Sequence, residues 1–281
     1  MIAAEPTALT IAGAALLGLI VGSFLNVVIH RLPAILERRW QLEAQEILGD
    51  DADPEGEAYH LAWPPSHCPQ CGRRLGWREN IPLLSYLLQR GRCRGCSGRI
   101  ALRYPIVEGL AAVATALVVA TQGLTLAGLG AVVLTWALIA AAVIDYEHYL
   151  LPDALTLPLL WLGLLWSIVT PGLPTPSDAI IGAAAGYTAM WAIYHGHRAV
   201  TGREGMGHGD FKLTAALGAW LGWQALPMVV LVAALGGLAV ALVLALRRRP
   251  LGQPVPFGPS LAAAGWLLLI LDYGGTSWRL L

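Results

Sequence analysis

The chain has 281 residues, of which 56% are hydrophobic and only 13% charged, with a mean hydropathy of +0.61 and a formal net charge of +0. These proportions exclude an ordinary soluble domain and give no sign of a nucleic-acid partner; they describe an all-α polytopic protein whose first partner is the lipid bilayer. The zero balance conceals an uneven layout, since eleven of the seventeen arginines lie between Arg31 and Arg103, and Lys212 is the only lysine.

The first apolar run, residues 8–29, follows an N-terminus with no basic region and no small-residue cleavage site, so it is expected to be a retained span. Gly13, Gly18, Gly22 and Ser23 interrupt it, a pattern that lets helices approach closely in a bilayer. Asn26, near its end, reads best as an interhelical hydrogen bond. Residues 31–105 then form one polar segment with two characters. Residues 43–57 hold seven carboxylates and no basic group, and read as a solvated linker; residues 73–103 carry eight arginines against one acid, Glu79.

All four cysteines fall in this segment, as Cys68-Pro-Gln-Cys71 and Cys93-Arg-Gly-Cys96, 21 residues apart. Two such knuckles can set four thiolates tetrahedrally around Zn²⁺ in a closed, structural site, with Gly72, Gly95 and Gly98 for the tight turns. Two disulfides are the alternative and require an oxidising compartment. The arginine density places the loop on the cytoplasmic side, where thiols stay reduced, and favours zinc.

Seven further apolar stretches follow near residues 106–121, 124–144, 152–169, 179–194, 212–223, 226–246 and 259–272. With residues 8–29 they make about eight spans, of which the sixth and eighth are short for a hydrocarbon core of ~30 Å. Counting all eight puts Arg247-Arg248-Arg249 on the same cytoplasmic side as the arginine-rich loop, as the positive-inside tendency requires, and leaves both termini on the other side. Three parts result: a first span (residues 1–30), a cytoplasmic tetracysteine domain (31–105) and a seven-helix membrane domain (106–281). Trp161, Trp166, Trp191, Trp220, Trp223 and Trp266, near the ends of apolar runs, are expected to anchor and pack.

Two carboxylates stand at membrane boundaries. Asp210 closes the glycine-rich stretch 205–212 (GMGHGDFK), whose Gly205, Gly207 and Gly209 suggest a tight turn that presents the acid at the start of a span. Asp145 ends the unbroken run of the third span, and two spans separate it from Asp210, so topology returns both to one face. Asp153 ranks second as partner, with Glu147 and His148 nearby. An ionisable group at such a position is a functional-site candidate. Two facing carboxylates that share one proton can run aspartic-protease chemistry, one withdrawing a proton from water and the other donating to the substrate carbonyl. An ion or proton transporter also explains the two acids but not the tetracysteine loop, and a zinc-bearing adaptor explains only the loop.

The motifs in order resemble the bacterial type IV prepilin peptidases (leader peptidase/N-methyltransferases). They are residues 22–33 (GSFLNVVIHRLP), 37–40 (ERRW), both cysteine knuckles, 79–82 (ENIP), 103–108 (RYPIVE), Asp145 with 151–153 (LPD), 205–212, and 254–259 (PVPFGP). The resemblance implies that residues 207–210 are the family's G-x-G-D signature and that Asp145 and Asp210 are its catalytic pair, with Gly207, Gly209, Lys212 and Asp153 in support. It further implies cleavage of the basic leader of prepilins or pseudopilins on the cytoplasmic face of the inner membrane. N-methylation of the new terminus by S-adenosylmethionine and zinc at Cys68, Cys71, Cys93 and Cys96 also follow from it. No glycine-rich fingerprint assigns residues to the methyl donor.

Overall fold

A backbone placed in hydrocarbon must satisfy its own N–H and C=O groups, and a helix does so within one segment. The computed structural model describes residues 6–49, 59–170, 174–247 and 255–273, and among these there is no strand, only three isolated β-bridges. The helices are α1 (Ala8–Leu48), α2 (Leu84–Leu88), α3 (Arg103–Gln122), α4 (Leu126–His148), α5 (Asp153–Val169), α6 (Pro176–Thr201), α7 (His208–Leu221), α8 (Leu226–Leu246) and α9 (Gly258–Tyr273). Four helices, α1, α3, α4 and Trp223–Leu246, which contains α8, are long and apolar enough to cross a membrane; α5 and α9 are apolar but shorter. The acidic positions 50–58, Arg248, Arg249, Pro254 and residues 274–281 lie outside the described residues.

The chain divides into two compact units, Thr7–Ala116 and Leu117–Leu281, with the division inside α3. In the first, the span expected at residues 8–29 is the start of a much longer helix, which continues to Leu48. Residues 34–48 are mostly strong helix formers, and the Arg39 Nε–Glu43 Oε1 pair at 3.0 Å adds i,i+4 support. The helix stops at Gly49, whose left-handed φ of 74° returns its N–H to the Gln45 and Glu46 carbonyls. Two of the small residues of α1, Gly18 and Gly22, do what their pattern suggests, whereas Gly13 faces open space. A Cβ at Gly18 would lie 2.6 Å from the Ala111 carbonyl oxygen, and one at Gly22 would lie 2.8 Å from Glu108 Cα. Asn26 is buried and its Nδ2 donates to Tyr104 O of α3 at 3.1 Å, the expected interhelical bond.

In the second unit α7 is the central helix, packed chiefly against α6 and α5 and also against α9. Its 14 residues make roughly 21 Å, and nearly all from Asp210 to Leu221 are buried. It starts four residues earlier and ends two earlier than the expected stretch 212–223. Close backbone approach explains its modest hydropathy: Gly182 of α6 and Gly218 of α7 face each other with no room for a Cβ on either, and Gly186 sits against Thr214 O. Helix packing in a membrane favours such small residues. α4 and α8 pack on α9. Several tryptophans tie helices by hydrogen bonds as well as packing: Trp220 Nε1 donates to Leu159 O at 2.9 Å, and Trp266 Nε1 to Thr135 Oγ1 at 3.1 Å.

Candidate active site and metal centre

Asp145 lies in the last turn of α4, which ends when Tyr149 adopts a left-handed φ of 54° and returns its N–H to Asp145 O. The acid is 6% exposed, and its Oδ2 accepts the Gly258 N–H of α9 at 2.9 Å. Asp210 lies in the first turn of α7, behind an N-cap glycine, Gly207, that has no side chain to cap with. Its N–H donates to Gly207 O at 3.2 Å, and its Oδ2 lies 4.0 Å from where a Cβ on Gly207 would stand. Asp210 is 7% exposed, and the Asp145 carboxylate lies within electrostatic reach of it. The end of one helix and the start of another thus bring together two buried acids 65 residues apart in sequence.

The neighbouring acids are placed differently. Glu147 and His148 are exposed. Asp153, at the start of α5, is half-exposed and accepts from Lys212 Nζ of α7 at 2.5 Å. This ion pair clamps α5 to α7 beside Asp210 and occupies Asp153 with Lys212.

The glycines act through space and not through φ. None of Gly205, Gly207 and Gly209 is among the positive-φ residues. A Cβ at Gly209 would lie 2.6 Å from Leu151 Cβ, so the first turn of α7 rests directly on the chain between α4 and α5. Gly205 lies against the His197 ring, where a Cβ would be 2.9 Å away, whereas at Gly207 the nearest atom is Asp210 Oδ2 at 4.0 Å. Sequence reasoning missed the ring cluster that carries this turn. His208 lies tilted on Tyr194 of α6 at 5.2 Å, Phe211 meets Tyr194 and Tyr187 edge-on at 5.7 and 5.9 Å, and Met190, Met206 and Val230 complete the cluster. Its only sequence signal is a large apolar residue directly after the acid. Gly258 was legible only as part of a motif, with no contact to explain it.

In the Thr7–Ala116 unit the cysteine knuckles repeat the same turn residue for residue. In the first, Cys68 N–H donates to Arg73 O and Gly72 N–H to Cys68 O, both at 2.9 Å; in the second, Cys93 N–H donates to Gly98 O and Ser97 N–H to Cys93 O, again both at 2.9 Å. Gly72 and Ser97, at φ 68° and 58°, occupy the matching left-handed position. All four thiols are free, and their sulfurs lie within 4.8 Å of one another, with Cys68 and Cys96 at 3.9 Å. Sulfurs on a tetrahedron with bonds of ~2.3 Å stand about 3.8 Å apart, so the set fits a metal and not two disulfides. N–H groups of Cys96 and Gly95 draw the Cys93 thiol down to about 7, whereas the Cys71 thiol, despite the Arg73 N–H, is pushed up to about 11 by desolvation and the other three sulfurs, so the four titrate as one set. The loop is braced by two arginines. Arg73 Nη2 meets Glu79 at 3.1 and 3.2 Å, and the Gly76 N–H, with Arg73 beside it, holds that carboxyl below the usual carboxylate range. Arg31 of α1 is buried and donates to the carbonyls of His60, Leu61 and Pro64.

The family model described as the bacterial peptidase A24 N-terminal domain matches residues 16–122, which include all four cysteines, and that of the type IV leader peptidase family matches residues 132–242, which include both buried aspartates. A prepilin leader peptidase/N-methyltransferase of Aeromonas hydrophila is 50% identical over 268 residues, 94% of this chain and 92% of that protein. The chain belongs to the type IV leader peptidase family. Relatives of the same description in Pseudomonas putida and Dickeya chrysanthemi are 48% and 49% identical, each over 92% of this chain and over 89% and 92% of their own length. No solved structure matches this leader peptidase chain. Gly258, which bonds Asp145, lies beyond both family-matched segments.

Proposed function

We propose that the protein removes the leader peptide of prepilins or pseudopilins and N-methylates the new terminus, with Asp145 and Asp210 as the peptidase dyad. The observation that carries this reading is a buried carboxylate at the end of α4 within electrostatic reach of another at the start of α7, in a chain that is about half identical to prepilin leader peptidase/N-methyltransferases along nearly its whole length. At close range two carboxylates share one proton. The ionised member withdraws a proton from a water, which attacks the scissile carbonyl, and the protonated member donates to the carbonyl oxygen as charge develops there. The pair titrates as a unit. Lys212 and Asp153 support it by holding α5 and α7 together, Gly209 by letting the first turn of α7 rest on Leu151, and Gly207 by starting that turn without a capping side chain.

Cys68, Cys71, Cys93 and Cys96 would hold Zn²⁺, whose role is to fold the loop; four thiolates leave no open position for catalysis. S-adenosylmethionine would supply the methyl group, an electrophile for the new N-terminal amine.

The membrane arrangement belongs to the same proposal. Eight of the described helices have 14 residues or more, which agrees with eight spans once α7, buried among α5, α6 and α9, is counted with the others. Positive charge then sets the tetracysteine loop and the dyad on the cytoplasmic face of the inner membrane, with residues 1–30, 31–105 and 106–281 as first span, loop domain and peptidase domain. Incubating the purified protein with a prepilin and labelled S-adenosylmethionine tests the activity directly. A shortened, labelled product is expected, and an unaltered prepilin would return the chain to the transporter or adaptor reading.

A further inference from the structure

The proline-rich motif at 254–259 plays no part in the chemistry described so far, yet its glycine touches the dyad. Gly258 is the first residue of α9, and its N–H donates to Asp145 Oδ2 at 2.9 Å in a buried setting. The approach is close enough that a Cβ there would sit 2.5 Å from Oδ2, 3.0 Å from Cγ and 3.2 Å from Cβ of Asp145. Its φ is not among the positive ones, so backbone conformation does not require glycine at this place. What requires it is the carboxylate.

We propose that Gly258 is a positioning residue for Asp145: its N–H holds Oδ2 at the start of α9, its missing side chain leaves the space the carboxylate fills, and Oδ1 remains as the oxygen that serves the reacting water. The proposal rests on the dyad reading and deepens it. A carboxylate on a helix end has torsional freedom, and a general base must stand within hydrogen-bond reach of its proton in one orientation. A backbone N–H at a helix start is a fixed donor that no rotamer change can withdraw, and it bonds charged oxygens well. The charged groups on the other elements that pack near the site are Asp210 and Lys212 of α7 and Asp153 of α5. The last two are paired with each other, which leaves the Gly258 N–H as the one hydrogen bond to the Asp145 carboxylate among the described residues.

The test is a double-mutant cycle with two readouts. Gly258→Ala is expected to lower kcat for prepilin cleavage on the order of 100-fold, because a reacting group displaced by about 1 Å loses that much, while KM stays within about twofold. It should also lower the melting temperature of the purified protein in detergent. In an Asp145→Ala background the clashing Oδ2 and Cγ are gone, so most of that melting loss should disappear. An unchanged kcat, or the same melting loss in both backgrounds, would overturn the proposal. If Gly258→Ala alone does not fold, recovery of folded protein on adding Asp145→Ala supports the proposal, and failure of both refutes it. The melting cycle reads the contact without any catalysis, so it remains decisive even if Asp145→Asn turns out to cleave and the dyad reading falls.

Discussion

Asparagine at position 145 or 210 keeps the volume and polarity of aspartate but cannot take a proton from water. Each change is therefore expected to lower prepilin cleavage on the order of 10⁴-fold while the protein still inserts, and the double mutant should be little worse than either, because groups acting as a unit give non-additive losses. Asp153→Asn should retain far more activity, since that side chain is half-exposed and engaged with Lys212. Methylation of a pre-cleaved pilin should survive all three changes if its site is separate. Substantial cleavage by either single dyad mutant would remove the mechanism. The glycines give a second comparison at this scale. At Gly209 an added methyl meets Leu151 at 2.6 Å, whereas at Gly207 it has ordinary space. Gly209→Ala is expected to destabilise the protein by about 1–3 kcal/mol through overpacking and to displace Asp210 with it. Gly207→Ala should leave the melting temperature nearly unchanged, and equal losses in the two variants would show that the close approach to Leu151 is not what the glycine serves.

Helices and loops show how much of this was legible beforehand. Asp145 and Asp210 could be named because an acid at the edge of an unbroken apolar run is costly to desolvate and so marks a working site. Burial separates these two from Glu147, His148 and Asp153, which are exposed. The cysteine loop was legible because metal ligands impose spacing on sequence. The extension of α1 to Leu48 was less so, since a charged, helix-forming stretch after a span reads as polar loop when only hydropathy is followed. The reasons for Gly209 and Gly258 were hidden altogether, because each depends on an atom of a residue far away in sequence. The loop carries its own prediction. Metal binding in such a site is folding energy, so Cys→Ser at position 68, 71, 93 or 96 should abolish stoichiometric zinc and open residues 59–102 to protease. Brief exposure to chelator should leave peptidase activity intact, as zinc plays no part in the dyad chemistry, while prolonged stripping loosens the loop. Metal-free protein with a protease-resistant loop would show that the four thiols hold the fold without an ion.

For the molecule as a whole, the deciding quantity is the side of the membrane on which each charged segment lies. The arginine-rich segment between α1 and α3 and the triplet at 247–249 are separated by six helices, α3 to α8, an even number, so both fall on one side if every helix crosses. Were α7 a re-entrant helix, the number would be odd and the triplet would lie outside, against the positive-inside tendency. The same count governs the site: α5 and α6 lie between Asp145 and Asp210, and the end of α4 and the start of α7 share a face if both cross. Reporter fusions within residues 50–60 and after Arg249 should therefore both read cytoplasmic, and a fusion after Leu281 should read external. An external signal after Arg249 with a cytoplasmic one at 50–60 would mean that one of the six intervening helices does not cross, and α7, at roughly 21 Å, would be the first to re-examine. An external signal at 50–60 would invert the whole arrangement and place the dyad on the wrong side for a substrate that meets the peptidase before export.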